Sequence, residues 1–493
     1  MSRSLRVLGL SVSLVATCFA TQAGEAQQRQ IQTATAMSQA ERNEGAKAHP
    51  ELLAEFGGLY QGPQAAYVTS VGRKIAVQSS LSSQQNDFTI SLLNSSVNNA
   101  FAIPGGYVYV TRQLLALMND EAELAGVLGH EVGHVAAQHS KKRQSAAQRN
   151  SILGVLGQVL VGAVAGNSGI GQLLQQGIGS GAQLLTLKFS RTQEYEADDL
   201  GIRYLASAGY DPKALSSTLA SLAAQNTLDA KTAGQNSAIP EWASTHPDPA
   251  SRVKRALANA QATGSRSTLR NAATFITNLD GLLYDDDPKE GIVKGREFLH
   301  PVFKLKFAAP SGFAIQNGTN AVSIVGQSGQ AQFTGTSFDG NLDTYVQSVF
   351  QQMAGQGRAP TVETKRSTIN GLPVAYGAAS MSSSQGSRLD ATVVAYQFGP
   401  STAYHFVVVT PAGQGLGALS SLVNSMARMT DAEAAGIKPR RIRLVTVRAG
   451  DTMQSLSSRM AYSDYQLERF QVLNGLAANA SLAVGSRVKI VSY

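Results

Sequence analysis

His130-Glu131-Val132-Gly133-His134 is the stretch that decides how this chain is read. On a helix, residues four apart share a face, so His130 and His134 can aim two imidazoles at one point. Neutral imidazoles suit zinc, and Glu131 beside them can take a proton from the water that such a metal activates. The flanking residues support the helix. Asn119 or Asp120 can cap it, and Asp120, Glu121 and Glu123 place negative charge at its positive end. Leu124, Val127, Leu128 and Val132 then follow at helical spacing. The competing reading is a buried helix whose histidines are only hydrogen-bonded core residues, which is costly without polar partners.

The third ligand separates the zinc-peptidase classes. An extended metzincin motif needs a histidine where this chain has Ser140. His139 is one residue out of that register and is expected to pack or hydrogen-bond near the helix end. No Asp or Glu occurs from Val132 through Gln193, which removes a thermolysin-like ligand at short range. The first carboxylate after Glu131 is Glu194, and Asp198 lies four residues beyond it on the same helix face. Such a pair can supply one ligand and one carboxylate that orients a ligating histidine. Glu196, on the other side of that helix, is expected to face solvent.

The HEVGH helix followed at long range by Ser190-Arg191-Thr192-Gln193-Glu194-Tyr195-Glu196-Ala197-Asp198 resembles the zinc metallopeptidase family that includes the CAAX prenyl endopeptidases, HtpX and BepA, in its soluble periplasmic form. Two further segments agree with it. Asn99 to Val110 is similar to the strand and turn before the family's active-site helix, and Thr245 to Arg252 to its downstream His-Pro-x-x-x-x-Arg element. The resemblance covers residues about 50 to 258. It implies one zinc ion per chain (Zn2+), held by His130, His134 and Glu194, with Glu131 as general base. Asp198 would hold His130 or His134 in the required tautomer, and Arg191 would tie a carboxylate or backbone near the ligand helix, with Arg252 in a similar role, or both arginines would be surface charges. His246 would stabilise the oxyanion, close the open zinc position in a latent state, or only hydrogen-bond nearby backbone. Tyr107, Val108 and Tyr109 alternate as an edge strand should and could pair with an extended substrate, or be plain sheet structure.

The rest of the chain bounds where such chemistry would operate. Its 493 residues leave room for several domains, only 15% are charged, and the formal charge of +8 is spread along the chain. No interleaving of basic and aromatic residues points to nucleic acid. Arg3 and Arg6 precede a short apolar core, Val7 to Ala16, which reads as a signal peptide over residues 1–26. Export to the periplasm follows. Cys18, the one cysteine, stands in a stretch that loosely resembles a lipoprotein processing site with an unusual Thr17, so an outer-membrane lipoprotein is the alternative. Residues 150–187 carry no charge, but their strongly apolar part, Ile152 to Gly166, is too short for a membrane span. They read as a helical hairpin or flap beside the active site, capable of transient membrane contact, with no transmembrane span in the mature chain.

The fold class expected is α+β and multidomain. A Gln-rich flexible leader occupies residues 27–48. A mainly helical HExxH zinc-peptidase domain with a small sheet follows at 49–270, and then a connector whose Asp285-Asp286-Asp287 reads as solvated turn. An α+β accessory domain spans 290–430, with strands around Ala321–Val325, Ala391–Tyr396 and Tyr404–Val409 and helices at Leu342–Met353 and Leu416–Met426. His300 and His405 there read as structural. Residues 440–493 show a βααβ order that resembles the lysin-motif fold, whose members bind N-acetylglucosamine-containing glycans such as peptidoglycan; Met453 and Ser455 depart from its usual apolar or aromatic residues. The function implied is an exported zinc endopeptidase acting on unfolded or misassembled envelope proteins, in outer-membrane protein quality control. The alternative is a chaperone-like or peptidoglycan-binding envelope protein with a latent zinc site.

Overall fold

The computed structural model describes residues 36–142, 189–233, 246–354, 359–382 and 388–493. The signal peptide, Cys18, the start of the leader, the 150–187 segment and Thr245 lie outside the described residues. The first element is helix α1 (Gln39–Glu55), started by a capping box in which Ser38 and Glu41 satisfy each other's backbone amides. It takes in residues 39–48, which composition alone had assigned to the leader. The helix is held because Gly45 sits directly against the Pro104 carbonyl and the Tyr107 ring, and Arg42 pairs with Asp87 at 2.9 Å.

Helix α2 (Gln64–Ala76) leads to a three-stranded sheet of β1 (Thr89–Leu93), β2 (Ala100–Ile103) and β3 (Tyr107–Thr111). Its order is β1-β3-β2, with β3 parallel to β1 and antiparallel to β2. The short α3 (Arg112–Leu117) and the central α4 (Glu121–Ala136) follow, then α5 (Arg191–Ser207), α6 (Ala214–Ala233), α7 (Pro249–Ala262) and α8 (Ala272–Leu279). Helix α4 is buried on nearly every side, which is why its sequence is apolar all round apart from the motif residues and the first turn.

A seven-stranded antiparallel sheet dominates the middle of the chain. Strand β4 (Leu283–Tyr284) and the strands β5 (Ile292–Lys294), β6 (Glu297–His300) and β7 (Leu305–Ala308) precede it. The large sheet is built from β8 (Phe313–Asn317), β9 (Val322–Gly326), β10 (Gly329–Gly335), β11 (Lys365–Ile369), β12 (Leu372–Ser382), β13 (Arg388–Gly399) and β14 (Thr402–Pro411), in the order β11-β12-β13-β14-β10-β9-β8. Side chains alternate across it. Val394, Tyr396, Phe406 and Val408 face one core with Phe298, Phe307 and Phe333. Val393, Ala395, Val407 and Val409 face another beneath α9 (Leu342–Ala354). Both faces are covered, so these strands read as continuous apolar runs. His300 stacks on Phe303 at 3.9 Å and His405 meets the Tyr345 hydroxyl at 2.9 Å, both in structural roles. The helix expected over 416–426 is shorter, α10 (Ser420–Ser425) after a 3-10 turn.

The chain closes with β15 (Ala427–Arg428), α11 (Asp431–Gly436), β16 (Arg440–Thr446), α12 (Met453–Ser457), α13 (Gln466–Leu473) and β17 (Arg487–Ser492). The last four have the βααβ order read from the sequence, and Thr452 with Ser455 forms a capping box that gives Ser455 its place. β16 pairs with β17 on one side and with β4 on the other. The three connector aspartates are therefore not solvated turn residues. Asp285 accepts from Arg440 and the Tyr462 hydroxyl, Asp286 from Ser96 and the Val293 amide, and Asp287 from Asn94. No helix among the described residues is long and apolar enough to cross a membrane.

Candidate metal centre and active site

Helix α4 starts at Asp120, whose side chain accepts from the Glu123 amide at 2.8 Å, so the cap falls on the second of the two expected residues. Roughly three to four turns later it delivers His130, Glu131 and His134 into the buried interior. Helix α5 crosses close to it because glycines stand at the contact. A Cβ at Gly133 would come within 3.2 Å of the Ala197 carbonyl, and one at Gly201 within 3.0 Å of the His130 amide nitrogen. Ser190 and Gln193 form the capping box of α5, which puts Glu194 in its first turn.

His130, His134, Glu194 and His246 each offer one ligand atom, all within 4.8 Å of one another, and all four residues are buried. His130 Nε2 lies 3.0 Å from His134 Nε2 and 3.4 Å from His246 Nδ1. Glu194 carboxylate oxygens lie 3.7 Å from His130 Nε2, 3.5 Å from His134 Nε2 and 3.0 Å from His246 Nδ1. A tetrahedral site with bonds of about 2.1 Å has ligand atoms roughly 3.4 Å apart, and these separations scatter around that value. His246 thus lies with the three other candidate ligands rather than only near backbone. Its Nε2 is 3.7 Å from Glu131 Oε1.

The charge balance also fits a cation. Glu131, Glu194 and Asp198 are buried carboxylates facing one buried guanidinium, Arg252. Arg252 grips Asp198 through two hydrogen bonds, Nε to Oδ2 at 2.9 Å and Nη2 to Oδ1 at 2.6 Å, and donates from Nη1 to Glu194. Burial alone would raise the Asp198 pKa, but Arg252 and His130 override it and bring it down to about 2. Glu194 is likewise lowered, with His246 and Arg252 outweighing its burial. Glu131 is held less tightly: its pKa is raised by burial against the pull of His246, His130 and Arg252, and its Oε1, 3.7 Å from His246 Nε2, has no hydrogen bond. A buried acceptor without a hydrogen bond beside four clustered ligand atoms is what a metal and its water would complete.

The sequence expectations sort cleanly. His130, His134, Glu194, Glu131 and His246 converge, and Asp198 Oδ1 stands 3.0 Å from His130 Nδ1, which settles which histidine it faces. Arg191 does not reach the centre: its side chain is 73% exposed and pairs with Asp248 at 3.4 Å. The arginine that binds the carboxylates is Arg252, because α7 packs against the side of α5 that carries Glu194 and Asp198. Tyr107, Val108 and Tyr109 do not form an edge. Their strand β3 is the middle one, hydrogen-bonded on both sides, and Tyr109 is core, with its hydroxyl 2.8 Å from His49 Nδ1. The outer strand packed near α4 is β2. Glu196 is not simply solvated either, since it accepts from His139 Nε2 at 3.2 Å. Phe189, which stacks on the His134 ring at 3.7 Å, had no sequence signal beyond its hydrophobicity.

Residues 63–260 match the model of peptidase family M48, and residues 445–491 match the LysM domain. The beta-barrel assembly-enhancing protease of Yersinia pestis is 33% identical over 201 residues, which are 40% of this chain and 39% of that protein. The protein of that name from Escherichia coli K12 is 32% identical over 190 residues, 38% of this chain and 37% of its own. The mitochondrial metalloendopeptidase OMA1 of Schizosaccharomyces pombe is 29% identical over 211 residues, 42% of this chain and 57% of that one. The match therefore spans less than two thirds of each of these relatives.

Proposed function

From a chain that carries a peptidase family M48 domain and a LysM domain, we propose a zinc-dependent endopeptidase of the bacterial envelope, held near peptidoglycan and acting on unfolded or misassembled envelope proteins. The observation that carries the peptidase reading is the buried cluster of His130, His134, Glu194 and His246 next to Glu131, whose Oε1 has no hydrogen bond. His130, His134 and Glu194 would hold the metal. Bound zinc would supply the Lewis acidity that makes water nucleophilic near neutral pH and polarises a peptide carbonyl. Glu131, its carboxylate made more basic by burial, takes the proton of the attacking water and returns it to the leaving nitrogen. Asp198 and Arg252 keep the His130 ring and the Glu194 carboxylate in place. The outer strand β2 is the edge next to α4 on which an extended substrate backbone could add.

His246 gives the site two states. With Nδ1 at the fourth corner it blocks the position that a peptide carbonyl would use, so turnover requires this ring to leave. That favours a latched protease over a permanently structural site, which would have no use for a base at position 131. The envelope reading is supported by the signal-like start of the chain, the LysM domain and the name of the two bacterial relatives.

The experiment combines zinc content with cleavage of an unfolded protein. Glu131→Gln is expected to retain zinc and lose turnover by about 100-fold or more. His246→Ala is expected to cleave faster than the wild type. Turnover by Glu131→Gln at the wild-type rate, with zinc verified, would remove the mechanism. Loss of activity in His246→Ala would recast His246 as a participant in the chemistry.

A further inference from the structure

We infer that His139 and Glu196 are positioning residues for the metal centre, holding His134 in the one tautomer and orientation that a metal ligand can use. The inference rests on the reading of His134 as a ligand. His139 is fully buried, at 0% exposure, and its Nδ1 lies 2.8 Å from His134 Nδ1. Its Nε2 lies 3.2 Å from Glu196 Oε2, a carboxylate that is 35% exposed.

The proton positions along this chain follow from the chemistry. Two facing Nδ1 atoms can share only one proton. His134 turns Nε2 to the cluster, 3.0 Å from His130 Nε2 and 3.5 Å from Glu194 Oε1, so a lone pair used there leaves its proton on Nδ1. His134 therefore donates, and His139 accepts on a bare Nδ1. The proton of His139 is then on Nε2, where it donates to Glu196. Every atom from the metal corner to the carboxylate has one role.

The arrangement mirrors the other ligand, with one difference. His130 Nδ1 faces the carboxylate of Asp198 directly, whose charge Arg252 offsets. On the His134 side no guanidinium pairs with Glu196 among the described residues, and a carboxylate in direct contact would add charge to a cluster already rich in it. A neutral imidazole in between keeps the Glu196 charge at the partly exposed rim while passing on its hydrogen-bond polarity.

The backbone is shaped for this contact. Helix α4 stops at Ala136, and Gln138 takes a left-handed conformation (φ 54°) that turns His139 back beneath His134. A non-glycine residue pays roughly 1 kcal/mol for that conformation. The Gln193 side chain donates to the His139 carbonyl at 3.4 Å, and Phe189 holds the His134 ring by its face while His139 holds it by its edge.

The test measures zinc affinity of the full chain by chelator competition, together with the visible spectrum of the cobalt-substituted protein. His139→Leu fills the space without an acceptor. His139→Gln is the conservative replacement, because its amide oxygen can accept where Nδ1 does and its nitrogen can donate where Nε2 does. Glu196→Ala, at a part-exposed position, tests the far end and carries the test if His139→Leu does not fold. His139→Leu is expected to weaken zinc binding by about 10- to 100-fold and to shift the cobalt bands, with the melting temperature of the metal-free protein lowered by the buried His134 donor left without its acceptor. Glu196→Ala is expected to lose affinity in the same direction, and His139→Gln to recover most of it. Wild-type affinity in His139→Leu, or a loss in His139→Gln as large as in His139→Leu, overturns the positioning role alone. A wild-type chain that binds no zinc overturns the ligand reading and this inference with it.

Discussion

At the scale of single residues, the centre is organised by charges that water cannot reach. Asp198 and Glu194 are tolerable in the interior because Arg252 meets both, with Asp198 held by two parallel bonds. Removing one partner of a buried ion pair leaves the other uncompensated, which costs about 3–5 kcal/mol. Arg252→Met is therefore expected to lower the stability of the EDTA-treated protein by roughly that amount, read from urea unfolding. A change within experimental error would mean that the carboxylates take up protons without cost. Which residues carry the charge was only partly legible. Glu194 and Asp198 stand out because no carboxylate lies within sixty residues upstream of Glu194 and the spacing of the pair is helical. Arg191 and Arg252 are equivalent on such grounds, and only the packing of α7 against α5 selects Arg252. His139 was visible too, but its register excluded it as a ligand without disclosing that it turns back under His134.

At the scale of elements, the site exists because α4 and α5 approach closely. The glycines at 133 and 201 permit this, and any Cβ at Gly201 meets the backbone of His130, one of the candidate ligands. Gly201→Ala is expected to cost about 1–3 kcal/mol through forced separation of the helices. It is also expected to weaken zinc binding, because Glu194 and His130 lie on opposite sides of that crossing. Thermal melting and chelator competition check both effects, and a variant indistinguishable from wild type in each would show slack at the crossing. The helices themselves were readable from caps and apolar spacing. The position of β3 was not, since alternating Tyr107, Val108 and Tyr109 fit an edge strand and a central one equally well. Order within a sheet is decided by which strands find it, here β1 and β2 from either side.

At the scale of the whole molecule, the C-terminal βααβ unit is bound into the peptidase rather than trailing from it. Lys489 on β17 is fully buried and donates from Nζ to the carbonyls of Ala116 at 2.7 Å and Met118 at 2.6 Å, just before the cap of α4. Burial brings its pKa down to about 7, against the pull of Glu123 and Asp120. The folded chain thus holds fewer protons than the unfolded one between about pH 7 and the ordinary lysine range, so stability from this residue rises with pH across that window. Lys489→Met orphans two carbonyls at any pH, a loss of about 1–3 kcal/mol for a buried group left without its partner. The gap between wild type and Lys489→Met, measured by urea unfolding, is expected to widen in favour of the wild type from pH 7 towards pH 10. A constant gap would show that the buried ammonium keeps its proton throughout. Sequence by itself determined what depends on near neighbours along the chain: the capped helix with His130, Glu131 and His134 on it, the Glu194/Asp198 pair, the alternating strands and the βααβ order. These follow from periodicity and capping, which act over a few residues. Only the tertiary structure decided that Arg252 and not Arg191 serves the site, that β3 is central, that His139 reaches His134, that Asp285, Asp286 and Asp287 bind the modules together, and that Lys489 is interior. Those outcomes depend on partners far away in the chain, and no local pattern carries the free energy of a contact that forms only when distant surfaces meet.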